Sequence, residues 1–190
     1  MNLEETAFKE AYRVFNGEYK VFEYLDENEK KSIDILSCFN TPYENVNSYA
    51  TLGLCNIDSR LESGGKPLLA ELVSACESKY DFFPNIMSTS AFQIIDGIIS
   101  YALGVVVPNV VSMYYSNRKM KHMLMAYPFL WERELHTISA ENKLISWLQL
   151  ILISDLEYEY LLKYGYDALE DAFEQNEIDV VDLNRNCIFS

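Results

Sequence analysis

What most constrains this chain is the order in which its hydrophobic spacing changes. A helical period opens it, a long extended region follows, a dense apolar helix stands mid-chain, extended segments return, and two amphipathic helices come last. Strands on both sides of a central helix favour an α+β domain over a regular βαβ repeat. The expected architecture is a single domain over residues 1–190, a mixed and mostly antiparallel sheet flanked by helices, with a helical acidic C-terminal region.

The opening helix has Asn2 as its cap and Glu5 three residues later, as in a capping box. Leu3, Ala7, Phe8, Ala11, Tyr12 and Phe15 form its stripe and Gly17 its stop. Between Tyr19 and Glu77 the segments Tyr19 to Tyr24, Ser32 to Phe39, Ser48 to Leu54 and Leu68 to Cys76 read as strands, punctuated by Asn40-Thr41-Pro42 and Gly64-Gly65-Lys66-Pro67. After Pro84 comes a helix too apolar for an exposed position, carrying Ile86, Met87, Phe92, Ile94, Ile95, Ile98 and Ile99. Extended segments are expected around Val105 to Tyr115, His122 to Phe129 and Leu144 to Ile153. A second capping box, Ser154 with Glu157, starts a helix whose face carries Leu156, Tyr160 and Tyr164 and which ends at Gly165. Asp167 with Glu170 starts another, packed through Ala168, Leu169, Ala172 and Phe173.

A chain of 190 residues that is 49% hydrophobic has enough apolar surface to offset its ordering entropy without a metal or disulfide staple. Its 29 acids against 15 bases argue against direct nucleic-acid binding and attachment to an anionic membrane, because phosphate recognition needs a basic face. A basic partner is the natural counterpart. The acidic start Met1-Asn2-Leu3-Glu4-Glu5 lacks the features of a signal peptide, and the apolar stretch from Ile94 to Val111 is interrupted by Asp96, Gly97, Ser100 and Gly104. Cys38, Cys55, Cys76 and Cys187 form no C-x-x-C pair, so reduced, mostly buried thiols in a cytoplasmic protein are expected.

Catalytic signatures are scarce. His122, beside Arg118, Lys119 and Lys121, reads as a surface residue, and His136 as a loop residue; neither belongs to a metal pair or nucleophile motif. Gly64-Gly65-Lys66 lacks the first glycine and the hydroxyl residue of a phosphate loop and reads as a hairpin turn. Asp179, Asp182, Asn184 and Asn186 lack the glycine and final glutamate of a calcium loop and read as a solvated terminal segment. No catalytic residue, cofactor or metal is assigned. Charge placement says more: from Ser154 to Asp182 there are ten acids and the single base Lys163, with tyrosines interleaved. The candidate partner-binding residues are Asp155, Glu157, Tyr158, Glu159, Tyr166, Asp167, Glu170 and Asp171, a mixture able to combine electrostatic attraction with aromatic anchoring. The competing reading is of ordinary solvated helix faces whose tyrosines pack inward.

Five stretches read in order resemble the suppressor-of-fused-like domain family, in particular its small bacterial YqcF-type antitoxins or immunity proteins. They are Ser32-Ile33-Asp34-Ile35-Leu36-Ser37, Tyr49-Ala50-Thr51-Leu52-Gly53-Leu54, Lys66-Pro67-Leu68 with Glu71-Leu72-Val73, Pro128-Phe129-Leu130-Trp131-Glu132, and Ile153-Ser154-Asp155 with Glu157-Tyr158. The resemblance implies an α+β domain and a non-catalytic binder that neutralises a cognate protein toxin, a nuclease being the frequent kind, with a basic surface for the acidic protein to mask. The alternative it implies is a regulatory protein-binding module with an endogenous partner.

Overall fold

Helix α1 (Leu3–Phe15) starts where the Asn2 side chain accepts the amide of Glu4, and it buries Ala7, Ala11 and Phe15. Glu5 does not complete a capping box; its carboxylate pairs with Lys9 one turn along. The left-handed stop is Asn16 and not Gly17. Gly17 has a different duty: a β-carbon there would lie 2.8 Å from the carbonyl oxygen of Phe39, so only glycine permits that approach. The computed structural model describes residues 2–131 and 134–190, which places Met1 and the Glu132 of the resembling stretch outside the described residues.

The strands are β1 (Glu18–Leu25), β2 (Ser32–Phe39), β3 (Val46–Leu52), β4 (Glu62–Ser63), β5 (Lys66–Glu77), β6 (Val106–Val107), β7 (Met120–Ala126), β8 (Ile138–Ala140) and β9 (Lys143–Ser154). They form one sheet in the order β1-β2-β3-β5-β9-β7-β6, with β4 added to β5 and β8 to β9. Every pairing is antiparallel except β5 with β9, which run parallel from Leu68 beside Leu144 to Val73 beside Gln149. The expected mixed, mostly antiparallel sheet of an α+β domain is therefore present, and Gly64 and Gly65 make the β4–β5 turn.

Side chains alternate across this sheet and feed two cores. Helix α2 (Phe83–Ile95) covers one face, where Phe83, Ile86 and Met87 meet Ile35, Leu72, Met123 and Leu150. Helices α1, α3 (Asp155–Tyr164) and α4 (Tyr166–Gln175) cover the other, above Leu36, Val73, Leu124, Trp147 and Ile151. Met123 and Met125 are core residues, and Tyr114 and Tyr115 pack against the α2 side.

Three expectations need correction. The extended segment around Val105 to Tyr115 shrinks to β6, because Pro108 has no amide to donate and Asn109 turns left-handed (φ 57°); a 3-10 turn follows at Val111–Met113. Pro128 likewise follows the end of β7 at Ala126. The chain after α4 is solvated only in part: Asp179, Asn184 and Asn186 are exposed as expected, while Val180, Val181, Leu183 and Arg185 are buried and dock it.

Candidate functional site

Helix α3 carries the first half of the acidic face, and its start explains which acids are free. Ser154 caps it: its hydroxyl accepts the amide of Glu157, and the Glu157 carboxylate accepts the amide of Ser154 at 2.8 Å. That reciprocal box turns Glu157 inward, where Arg185 donates both terminal nitrogens to it at 2.7 and 2.8 Å. Arg185 also donates to the carbonyl of Leu152, and Glu157 accepts the amide of Ile188. Glu157 is fully buried, so it is not a partner contact; it anchors the final segment to the head of the helix. Consequently the inward stripe of α3 is Glu157 with Leu161, and of the face carrying Leu156, Tyr160 and Tyr164 the first and last are exposed.

Asp155 is exposed but engaged. Its carboxylate accepts from the Lys121 ammonium and from Nε2 of His122, which together hold it below the ordinary carboxylate range, Lys121 foremost. His122 is buried, correcting the surface reading: Nδ1 accepts the backbone amide of Asn109 at 2.8 Å, and the ring packs on Tyr158. An Nδ1 that accepts leaves the proton on Nε2, which points at Asp155 at 2.9 Å. Both ring nitrogens are thus committed, and this histidine joins β7, α3 and the Asn109 turn in place of offering a free base.

The remaining candidates divide by exposure. Glu159, Asp167 and Asp171 stand in solvent, and Tyr158 is half-buried. Tyr166, also half-buried, donates its hydroxyl to Glu170 at 2.8 Å and accepts the amide of Tyr127. Burial first, and then the Glu170 carboxylate, push the Tyr166 phenol upward. Leu162 and Tyr164 add apolar surface beside these acids, Leu162 being 72% exposed. The structure therefore brings seven of the eight proposed residues onto α3 and α4 with accessible surface and withdraws one.

Sequence reasoning gave Glu71 no role. It lies in β5 with no exposed surface, and its carboxylate accepts the amides of Gly53, Leu54 and Cys55 and the hydroxyl of Thr51 at 2.6 Å. Burial pushes its pKa up, and those donors oppose the rise. The arrangement pins the 3-10 turn Leu54–Asn56 to the sheet. A carboxylate inside the apolar run Leu68 to Cys76 was the signal that it needed internal donors.

Among the described residues no cluster of histidine, cysteine and acid side chains could hold a metal ion, and no helix is long and apolar enough to cross a membrane. Asp179 and Asp182 accept amides of their own turns, while Asn184 and Asn186 accept from Arg118 and Lys119. All four cysteines are free thiols; Cys38, Cys55 and Cys76 are buried.

The fold has close counterparts. A putative SUFU homologue from Neisseria gonorrhoeae FA 1090 superposes with a TM-score of 0.75 at 16% identity, covering 98% of this chain and 97% of that one. A chain of the Sufu-Fu complex superposes with a TM-score of 0.69 at 13% identity, covering 97% and 91%. Identities this low establish the architecture alone. In sequence, the chain is 41% identical over 174 residues to the immunity protein YqcF of Bacillus subtilis (strain 168), which spans 92% of this chain and 91% of that protein. The family described as suppressor of fused protein (SUFU) matches residues 29–186. With that match across most of its length and the 41% identical relative, this chain belongs to the SUFU family.

Proposed function

We propose that this chain is an immunity protein that binds a cognate bacterial toxin and neutralises it by masking its functional surface, without catalysis of its own. The observation that carries this reading is the 41% identity, over nearly the full length of both chains, to a protein named for immunity. The formal charge of -14 supports a partner with a basic surface. A nuclease fits that description, because it must hold a polyanion, and an acidic protein laid across the same surface competes with it. The acting cell compartment in this reading is the cytoplasm, where such a toxin meets its substrate.

The contact is placed on the outer side of α3 and α4: Glu159, Asp167 and Asp171 provide the field, and Tyr158, Tyr166, Leu162 and Tyr164 the anchoring surface. Asp155 and Glu170 contribute from partly engaged positions. Charge would speed capture and set specificity, while desolvated aromatic contacts would slow release. The test is co-expression with the product of the neighbouring gene, scored for rescue of growth and recovery of a complex. Rescue with complex formation is the expected result; a toxin that kills equally with and without this chain refutes it.

A second reading, a regulatory module with an endogenous partner, draws support from the structural likeness to a chain of the Sufu-Fu complex. It predicts a phenotype on deletion in cells that lack any toxin, where the immunity reading predicts none.

A further inference from the structure

Between α4 and the sheet lies a cavity of about 230 Å³ whose inner wall is apolar and whose mouth is acidic. Leu124 and Ala126 of β7, Ile151 of β9, Phe173 of α4 and Ile178 just after it form the wall; Glu170, Glu174 and Glu177 stand at the rim. Fully apolar cavities of about 150 Å³ accept a benzene-sized guest, so this one is large enough for a single long side chain. Glu170 is already engaged by the Tyr166 hydroxyl through one oxygen. Glu174 and Glu177 are exposed, and among the described residues no cation is paired with either. The nearby Arg185 is committed on the buried side of Phe173, to Glu157.

We infer that this cavity is the receptor for one arginine side chain of the protein partner, an assignment that rests on the immunity reading and gives its acidic face a specific anchor. An arginine carries a three-carbon stem suited to the apolar wall and a planar guanidinium that a carboxylate grips through two parallel hydrogen bonds. A neutral apolar side chain would fill the same wall but leave the rim carboxylates facing it unpaired. A lysine would satisfy the charge without the two-pronged geometry. Arginine is also among the residues that dominate interface energetics when desolvated at the centre of a contact.

The test has two arms. In the first, n-butylguanidinium is titrated into the purified full chain and followed by methyl NMR, with neutral n-butylurea as the control. Saturable shifts at Ala126, Ile151 and Ile178 with the guanidinium, absent with the urea, are expected, and they should disappear in the E174Q/E177Q variant. No shift at those methyls overturns the assignment even if the toxin binds. In the second arm, the neighbouring toxin is measured against the wild type, E174Q/E177Q, the cavity-filling I178W, and E18Q/E23Q, which removes the same charge at the far edge strand. Loss of at least about tenfold in affinity for the two cavity variants and little for the edge variant is expected. Equal affinities for the wild type and both cavity variants overturn the inference while leaving immunity intact. Failure of the wild type to bind the toxin at all refutes the immunity reading and, with it, the toxin as the source of the arginine.

Discussion

Arg185 holds Glu157 through two hydrogen bonds of 2.7 and 2.8 Å, with both residues buried and Glu157 completely so. Removing one member strands the other as an uncompensated buried charge. Arg185→Met should therefore cost about 3–5 kcal/mol of folding stability in urea denaturation. The E157Q/R185M double variant should recover part of that loss, since no lone charge remains. A double variant as unstable as the sum of both singles would show that the pair acts through something other than charge balance.

Glu71 accepts from three backbone amides and one hydroxyl. Glu71→Gln turns one of those oxygens into a donor facing donors, and should cost about 1–3 kcal/mol. Amide exchange at Gly53 and Cys55 should quicken more than at Leu36 or Val73, since the loosened element is the 3-10 turn.

Asp155 is held below the ordinary carboxylate range chiefly by Lys121, with His122 adding to it. Its folded-state pKa is lower than the unfolded value of about 3.9, so its stabilising effect is complete above that value and disappears as pH falls through the folded one. The difference in melting temperature between wild type and Asp155→Asn should be constant near neutrality and close up below about pH 4. A difference that persists unchanged at lower pH would mean that the aspartate acts by packing alone.

Glu159, Asp167 and Asp171 are exposed helix-surface acids. Reversal of all three to lysine should leave stability within about 0.5 kcal/mol per site. The same variant should slow association with a basic partner and flatten its dependence on salt. Stopped-flow association at low and high salt distinguishes this from a change confined to release.

Desolvation pushes the Cys38 thiol to about 11 and raises those of Cys55 and Cys76, while Cys187 is only partly covered. In the native state Ellman's reagent should modify Cys187 rapidly and the other three only on unfolding. Fast reaction of two or more thiols would show that the core opens locally.

The sheet and helices were legible because hydrophobic period is a local property: Ser32 to Phe39 was read with the bounds it has, and Leu144 to Ile153 lies within β9. Burial of charge was not legible, because it depends on partners far along the chain. The capping box with Ser154 set Glu157 apart from Glu159, but its full burial was not local: that takes Arg185, 28 residues away. His122 is buried by a turn at Asn109 and an aspartate 33 residues on, while its own neighbours are bases that suggest solvent. The acids of the candidate face do lie on α3 and α4, but which of their side chains are exposed could not be read from the sequence.

The lone parallel pair has a consequence for how the molecule comes together. Strands β1, β2, β3 and β5 wind up from neighbours in sequence, and so do β6, β7, β8 and β9, but the two groups meet only along β5 and β9. That seam joins stretches of chain separated by a long excursion through α2, and closing it comes at a high entropic cost. The first group already carries α2 on one face and α1 on the other, both against β2 and β3. The register of that seam, from Leu68 beside Leu144 to Val73 beside Gln149, is thus what makes the two groups one continuous surface.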